Sequence, residues 1–234
     1  CDAVIATQMK KGSIFETEPV LCRSQDDIHK CMGSKYCPSA VNAAFAKSEL
    51  IQCKSICLIG LPCHIQGLMN AKGYNPLKSK DKVLSIGLLC GGMRGREGSL
   101  WILKKKNIPL HMISDIRSHR CDGWPGKMKI SLKGSKEIIE IEYPYDYDEY
   151  FESWQPWRCF LCLDRAAELS DISLGDAWLP EYREDKQGTS IIIARTEDGL
   201  NLIEEAVNNN IITARELGID LVIKAQAGLW NDIE

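Results

Sequence analysis

No stretch of this chain holds the roughly 18 to 20 consecutive apolar residues that a membrane-spanning helix requires. The opening residues, Cys1-Asp-Ala-Val-Ile-Ala-Thr7, lack the basic n-region and apolar h-region of a secretory signal. An initiator methionine is also absent, and those residues read as a strand already in progress. The chain is therefore expected to be a segment whose true beginning lies upstream. Neither sign of charge dominates: 29 basic side chains stand against 32 acidic ones, for a formal net charge of −3. That balance gives no global attraction to nucleic acid or to an anionic membrane surface. Internal repeats and low-complexity tracts are missing. So is a second Cys-x-x-Cys pair, which a paired zinc ribbon would need.

Cysteine, in contrast, is plentiful. Eleven cysteines occur in 234 residues, an odd number that a full set of disulfides would leave unpaired. With no secretory segment in sight, reduced thiols fit better than a disulfide framework, some of them holding a metal or a cluster. A cytoplasmic location is the expectation. Hydrophobic content of 44% and charged content of 26% suit a globular protein with a sizeable core.

Along the chain, strand-like apolar runs alternate with helical patterns. Ala3–Ala6, Val20–Cys22, Ile56–Ile59, Val83–Leu89, Ile172–Leu174 and Ser190–Ala194 read as strands. Short helices are expected after Ser24 and from Ser39 to about Leu50. Longer ones are expected over Ile65–Lys72, Glu97–Lys106 and Gly199–Asn208. This alternation predicts an α/β fold with a mixed, partly parallel sheet and helices on its faces. Between about residues 110 and 155 the texture changes. Met128–Leu132 and Ile138–Ile141 alternate around Lys133-Gly-Ser135 and predict a β-hairpin. That β-rich stretch reads as an insertion within a single domain covering residues 1–234. It ends in a surface-like, tyrosine-rich run, Tyr143–Tyr150.

Four cysteines stand where chemistry is plausible. Cys63, in Gly60-Leu-Pro-Cys63, and Cys90, in Gly87-Leu-Leu-Cys-Gly-Gly92, each follow an apolar run beside Gly or Pro. Cys159 and Cys162 form a Cys-x-x-Cys turn that can aim two thiolates at one centre. Four thiolates suit a structural zinc or an iron–sulfur cluster, and a redox dithiol at Cys159 and Cys162 is a further possibility. Cys53 and Cys57 read as buried core residues. The loop Gly33-Ser-Lys-Tyr36 offers backbone N–H groups, a hydroxyl and an ammonium ahead of a helix start, which is phosphate-binding chemistry. A capped helix entry with a surface lysine is the plainer alternative. Trp124, held in Gly123-Trp-Pro-Gly126, could cover a planar ring or simply anchor packing. Asp176 closes a strand and could hold a polar ligand there. Asp164, Glu168 and Asp171 serve equally well as caps, a solvated face or site residues.

In this order, Gly33-Ser-Lys-Tyr36, Gly60-Leu-Pro-Cys-His-Ile-Gln66, Gly87-Leu-Leu-Cys-Gly-Gly92, Gly123-Trp-Pro-Gly126, Cys159-x-x-Cys162-x-Asp164 and Glu168 to Asp176 resemble the coenzyme F420 hydrogenase/dehydrogenase beta-subunit family. The resemblance extends through Arg195-Thr-Glu-Asp-Gly199 to Gln226-Ala-Gly-Leu229. It implies an iron–sulfur flavoprotein that binds FAD and a 4Fe-4S cluster. Such a protein passes electrons between a deazaflavin, a ferredoxin-like module or a partner subunit, and a redox small-molecule substrate. Cys63, Cys90, Cys159 and Cys162 become the implied cluster ligands. Ser34, Lys35, Tyr36 and Gln66 are placed along the flavin and its phosphates, and Trp124 and Asp176 at the pocket wall. No catalytic acid or base is implied, because hydride transfer to a flavin needs none. Members commonly carry a Gly-rich segment and often a ferredoxin-like module upstream, so this segment alone is expected to hold FAD weakly. Cys1, Cys22, Cys31, Cys37, Cys53, Cys57 and Cys121 receive no role, although Cys37 and Cys121 lie in motif loops and are alternative ligands. The rival reading is a non-catalytic binding or scaffold module with a structural zinc.

Overall fold

The computed structural model describes residues 1–11, 13–116, 120–143 and 153–226. Along the chain run β1 (Ala3–Met9), β2 (Thr17–Cys22), α1 (Gln25–Lys30), β3 (Ser55–Gly60), α2 (Pro62–Ala71), β4 (Lys82–Leu88) and α3 (Arg96–Lys105). Then come β5 (Ile113–Ile116), β6 (Lys127–Leu132), β7 (Ile138–Glu142), α4 (Trp157–Phe160), β8 (Ile172–Asp176), β9 (Ser190–Ala194), α5 (Glu197–Asn208) and α6 (Ile219–Ala225).

Six strands form one mixed sheet in the order β2-β1-β3-β4-β8-β9. The four inner strands are parallel, and an antiparallel strand closes each edge. Ile56, Cys57 and Leu58 are buried in succession on β3, as a central strand covered on both faces demands. One face packs Ile5, Ile56 and Leu58 against Ile65 and Leu68 of α2 and against Val41 and Leu50. Cys53 is buried in this core and Cys57 on the opposite face of β3, 3% and 5% exposed, as their sequence context suggested. The α/β architecture and the mixed sheet are those the alternating pattern predicted.

Three local features differ from the sequence reading, each for a physical reason. Helix α2 begins at Pro62, earlier than the predicted Ile65. Proline suits the first helical position, and His64 Nδ1 accepts the Leu61 N–H at 3.1 Å in place of a side-chain oxygen cap. After Ser39 the chain forms 3-10 turns over Val41–Ala46 and Ser48–Leu50 rather than an α-helix. Its buried positions Val41, Ala44 and Leu50 fall at multiples of three, the period of a 3-10 helix. Ser39 caps nothing: its hydroxyl meets Thr7 Oγ1 and its carbonyl meets His64 Nε2.

The predicted hairpin is present as β6 and β7, turning through Gly134 at φ 71°. It gains a third strand, β5, so the small sheet is β5-β6-β7. Ile116, Met128, Ile130 and Ile141 pack there with Phe15 and with Ile102 and Leu103 of α3, forming a second core. The tyrosine-rich residues after Tyr143, like Ala227 to Leu229, lie outside the described residues.

Candidate functional site

Parallel pairing puts the carboxyl ends of β3, β4 and β8 side by side: Gly60 is opposite Gly87, and Leu88 opposite Leu174. Cys63 and Cys90 follow directly from two of these ends, where open α/β sheets place ligands. Cys63 sits in the first turn of α2, one residue after Pro62. Cys90 is held by its own N–H, which donates to Arg165 O at 2.9 Å, while the Gly92 N–H donates to Cys90 Sγ at 3.4 Å. Cys159 lies on α4, and Cys162 follows it with its N–H on Cys159 O at 3.2 Å.

Cys159 and Cys162 lie near enough to act on both Cys63 and Cys90. Burial pushes Cys90 up to about 11, with further upward pushes from Cys63, Cys159 and Cys162. Cys63 is raised by burial and by Cys162 and Cys159, while the Arg158 guanidinium pulls it down. Cys63 and Cys90 therefore favour the protonated form, and a metal bound there must displace their protons. Among the described residues, no three His, Cys, Asp or Glu side chains are drawn together closely enough to hold a single metal ion.

Behind Cys162, whose thiol donates to Asp164 O at 3.2 Å, the segment from Asp164 to Asp171 forms a hydrogen-bonded shelf. Asp164 Oδ1 accepts the N–H groups of Ala166 and Glu168 at 3.1 and 3.2 Å. Arg195 reaches in, donating to Ala166 O at 3.0 Å and to Ser173 Oγ at 2.6 Å. Asp171 Oδ2 accepts both the N–H and the hydroxyl of Ser85 on β4 at 2.8 Å, and its Oδ1 accepts Thr196 Oγ1 at 2.9 Å. Asp164 and Asp171 are therefore structural anchors, and Glu168 is an exposed side chain whose amide is capped.

A second group gathers around Arg120, a residue that the sequence reading passed over. Arg120 Nη1 donates to Asp176 Oδ2 at 2.8 Å, and Nε donates to Pro125 O at 2.6 Å. Its guanidinium lies 4.7 Å from the Tyr143 ring centre and 5.6 Å from that of Trp178. Trp178 in turn lies 4.6 Å from Trp124, centre to centre. The backbone of Ser34 bridges to Arg120, and burial raises the Tyr36 phenol while Arg120 beside it pulls it down. Ser34, Tyr36, Trp124 and Asp176 thus converge on one arginine. The Trp124 indole N–H is shielded from solvent and meets no acceptor among the described residues.

Two candidates behave otherwise. The Lys35 ammonium turns back onto the carbonyls of Cys31, Met32 (3.1 Å) and Gly33 (2.8 Å), closing the loop on itself. With 3-10 turns following instead of an α-helix, the predicted helix N-terminus behind this loop is absent. Gln66 is exposed on α2, one turn beyond Cys63, and makes none of the hydrogen bonds around Arg120. Of the alternative ligands, Cys37 is buried against Met9 Sδ at 4.0 Å and its thiol donates to Lys35 O at 3.1 Å. Cys121 donates to Lys127 O at 3.2 Å. The signal for the missed aromatic lay in Gly175-Asp-Ala-Trp178, two residues beyond Asp176. Arg120 offered none, since its partners come from four separate parts of the chain.

Residues 53–219 match the family model for the carboxyl-terminal part of the coenzyme F420 hydrogenase/dehydrogenase beta subunit. Residues 1–46 match the companion model for the amino-terminal part of the same protein. The chain belongs to the coenzyme F420 hydrogenase/dehydrogenase beta-subunit family. Members of that family are oxidoreductase subunits, and this chain is one of them. It is 23% identical to coenzyme F420 hydrogenase subunit beta of Methanothermobacter thermautotrophicus, over 96% of this chain and 76% of that protein. A coenzyme F420-dependent sulfite reductase of Methanocaldococcus jannaschii is 26% identical over 81% of this chain but only 30% of its own length. The fold is that of a chain in the F420-reducing NiFe hydrogenase complex of Methanosarcina barkeri, with a TM-score of 0.70, 18% identity, and coverage of 99% of this chain and 77% of that one. None of the helices among the described residues is long and apolar enough to cross a membrane.

Proposed function

We propose that this beta-family protein passes electrons between a deazaflavin-type cosubstrate and a one-electron partner protein, using FAD and a 4Fe-4S cluster. The observation that carries this reading is the placement of Cys63 and Cys90 just past the carboxyl ends of two adjacent parallel strands, near enough to Cys159 and Cys162 to be raised by them. All-thiolate donor sets of this kind suit iron–sulfur clusters, which are larger than a single ion. Zinc would need thiolates about 3.8 Å apart, the edge of a tetrahedron with bonds of about 2.3 Å. A flavin beside a cluster links two-electron hydride chemistry to single-electron transfer.

The chain's own residues have distinct tasks in this scheme. Cys63, Cys90, Cys159 and Cys162 hold the cluster, and Arg158 beside Cys63 offsets part of their negative charge. The shelf from Asp164 to Asp171 fixes the Cys159–Cys162 turn. Arg120, locked by Asp176 and the Trp178 and Tyr143 rings, anchors one wall of a flavin pocket formed with Ser34, Tyr36 and Trp124. The Trp124 N–H is a donor available to a ligand oxygen or nitrogen. Lys35 shapes the loop through its carbonyls, so the phosphates meet backbone N–H groups more than its ammonium. Gln66, exposed one turn past Cys63, is assigned to the flavin by the family motif alone.

Anaerobic purification followed by iron, sulfide, zinc and flavin assays tests the proposal. Close to four irons and four sulfides per chain, lost when any one of the four cysteines is changed to Ser, supports it. Stoichiometric zinc without sulfide would favour a structural module instead. Iron that survives Cys63→Ser or Cys90→Ser would remove those residues from the ligand set.

A further inference from the structure

Cys22 and Cys31 take no part in the proposed redox site, yet their sulfurs lie 3.8 Å apart. Cys22 ends β2, the edge strand of the main sheet, and Cys31 is the C-cap of α1. A disulfide bond is about 2.05 Å long, so closure asks each sulfur to move by about 0.9 Å. Helix α1 has no buried residue, and its end can yield by that much. Other thiols nearby face elsewhere: Cys37 lies against Met9, and Cys53 takes a contact from Arg23 Nη2 at 3.6 Å.

We propose that Cys22 and Cys31 form an oxidisable dithiol that closes to a disulfide by exchange with a small disulfide of the glutathione class. Cys31 is the more exposed of the two and attacks first. Its thiolate bonds to one sulfur of the oxidant, whose S–S bond breaks and releases one small thiolate. The Cys22 thiol then loses its proton and bonds to Cys31 Sγ, expelling the second small thiolate, which takes up that proton. Two protein thiols are oxidised, one small disulfide is reduced to two thiols, and no other reactant is needed. Burial raises the Cys22 thiol, so its deprotonation makes the second step the slow one.

The bond would have a local consequence. Cys31 O is one of the three carbonyls that hold the Lys35 ammonium, so the root of the loop through Gly33 and Tyr36 would be tied to the sheet edge. Oxidation therefore stiffens that loop directly ahead of the Arg120 group. This inference concerns thiol chemistry alone and stands whether or not the protein holds flavin.

The experiment takes the anaerobically purified chain with its bound cofactors and exposes it to oxidised glutathione. Remaining thiols are then alkylated and peptides mapped by mass spectrometry without reduction. The expected result is a mixed disulfide on Cys31 at early times, followed by a Cys22–Cys31 cross-link two hydrogens lighter than the dithiol. Cys22→Ser should stop the reaction at the mixed disulfide, and Cys31→Ser should prevent both species. Amide exchange over residues 32–36 should slow by about threefold or more in the oxidised wild-type protein. Cys22 and Cys31 both remaining alkylatable while exposed Cys1 reacts would overturn the proposal, as would a cross-link from Cys31 to Cys53. Unchanged exchange over residues 32–36 despite the cross-link would overturn its stated effect on the loop.

Discussion

Arg120 Nη1 lies 2.8 Å from Asp176 Oδ2, joining the loop before β6 to the carboxyl end of β8. The arginine side chain is only 15% exposed, and its guanidinium also faces the Tyr143 and Trp178 rings. A planar fork can make the Asp176 and Pro125 hydrogen bonds while lying over a ring, and an ammonium cannot reproduce that geometry. Arg120→Lys should therefore resemble a loss of the side chain more than a conservative change. We expect it to lower unfolding stability by about 1–3 kcal/mol, and to weaken flavin retention while leaving iron content intact. Denaturant unfolding and cofactor assays on the same preparation check both effects. Iron loss with flavin retained would place Arg120 in the wrong half of the site.

Gly87 tests how tightly the shelf behind Cys162 is seated. A Cβ at this position would lie 2.2 Å from the Ala167 Cβ and 2.9 Å from Ser170 Oγ. Neither neighbour can retreat easily, since Ala167 is fully buried with φ at 53°, and Ser170 Oγ bonds Ala167 O at 2.6 Å. Gly87→Ala should cost about 1–3 kcal/mol through overpacking. Because the Cys162 thiol donates to Asp164 O on this shelf at 3.2 Å, iron occupancy should fall with it if the cluster proposal holds. A neutral effect on denaturant midpoint would mean that the shelf yields more readily than its hydrogen bonds imply.

Asp171 ties the same shelf to β4 and to the start of α5 through Ser85 and Thr196. Hydrogen bonds to an ionised acceptor contribute more than neutral ones. Asp171→Ala removes three and leaves the buried Ser85 hydroxyl without that carboxylate, for an expected loss of about 3 kcal/mol. Asp171→Asn keeps the shape and should lose less. Equal losses for the two variants would show that the carboxylate's charge, and not the shape that Asn keeps, sets the whole contribution.

Asp27 sets a pH dependence at α1. The Ser24 hydroxyl, the Arg23 N–H and the Lys30 ammonium hold its carboxyl down to about 2, from an ordinary 3.8. The folded state therefore binds this proton less readily than the unfolded one. Its contribution is complete above about pH 4 and fades as pH falls toward 2. Amide protection at Arg23 and along α1 should decline across that window in the wild-type protein. In Asp27→Asn the decline should be absent, with protection lower throughout. A wild-type profile that stays flat down to pH 2 would contradict the assignment.

Alternating apolar runs made the sheet legible from sequence, because a strand such as Ile56–Ile59 needs continuous burial whatever surrounds it. The Ser24 cap and the β6–β7 turn were legible for the same kind of local reason: a hydroxyl beside a helix start and a glycine free to take positive φ. Cys63, Cys90 and the Cys159–Cys162 pair were visible as chemistry because each sits beside Gly, Pro or its own partner. The 3-10 turns after Ser39 were not legible, since a period of three and one of 3.6 scarcely differ across ten residues. Their form is set by packing against β1, β2 and α2.

What the sequence by itself determined is therefore the α/β class, the ordered motifs of the family and the residue types able to hold a cluster. Tertiary structure alone decided which groups meet. Parallel register brings Gly60, Gly87 and the end of β8 together, and with them Cys63 and Cys90. Arg120 finds Asp176, Tyr143 and Trp178, and Lys35 folds onto its own loop. Sequence fixes local preference within a few residues, where backbone sterics and period act. Encounters such as that of Arg120 with Asp176, 56 residues apart, depend on the global path of the chain, which no local pattern carries.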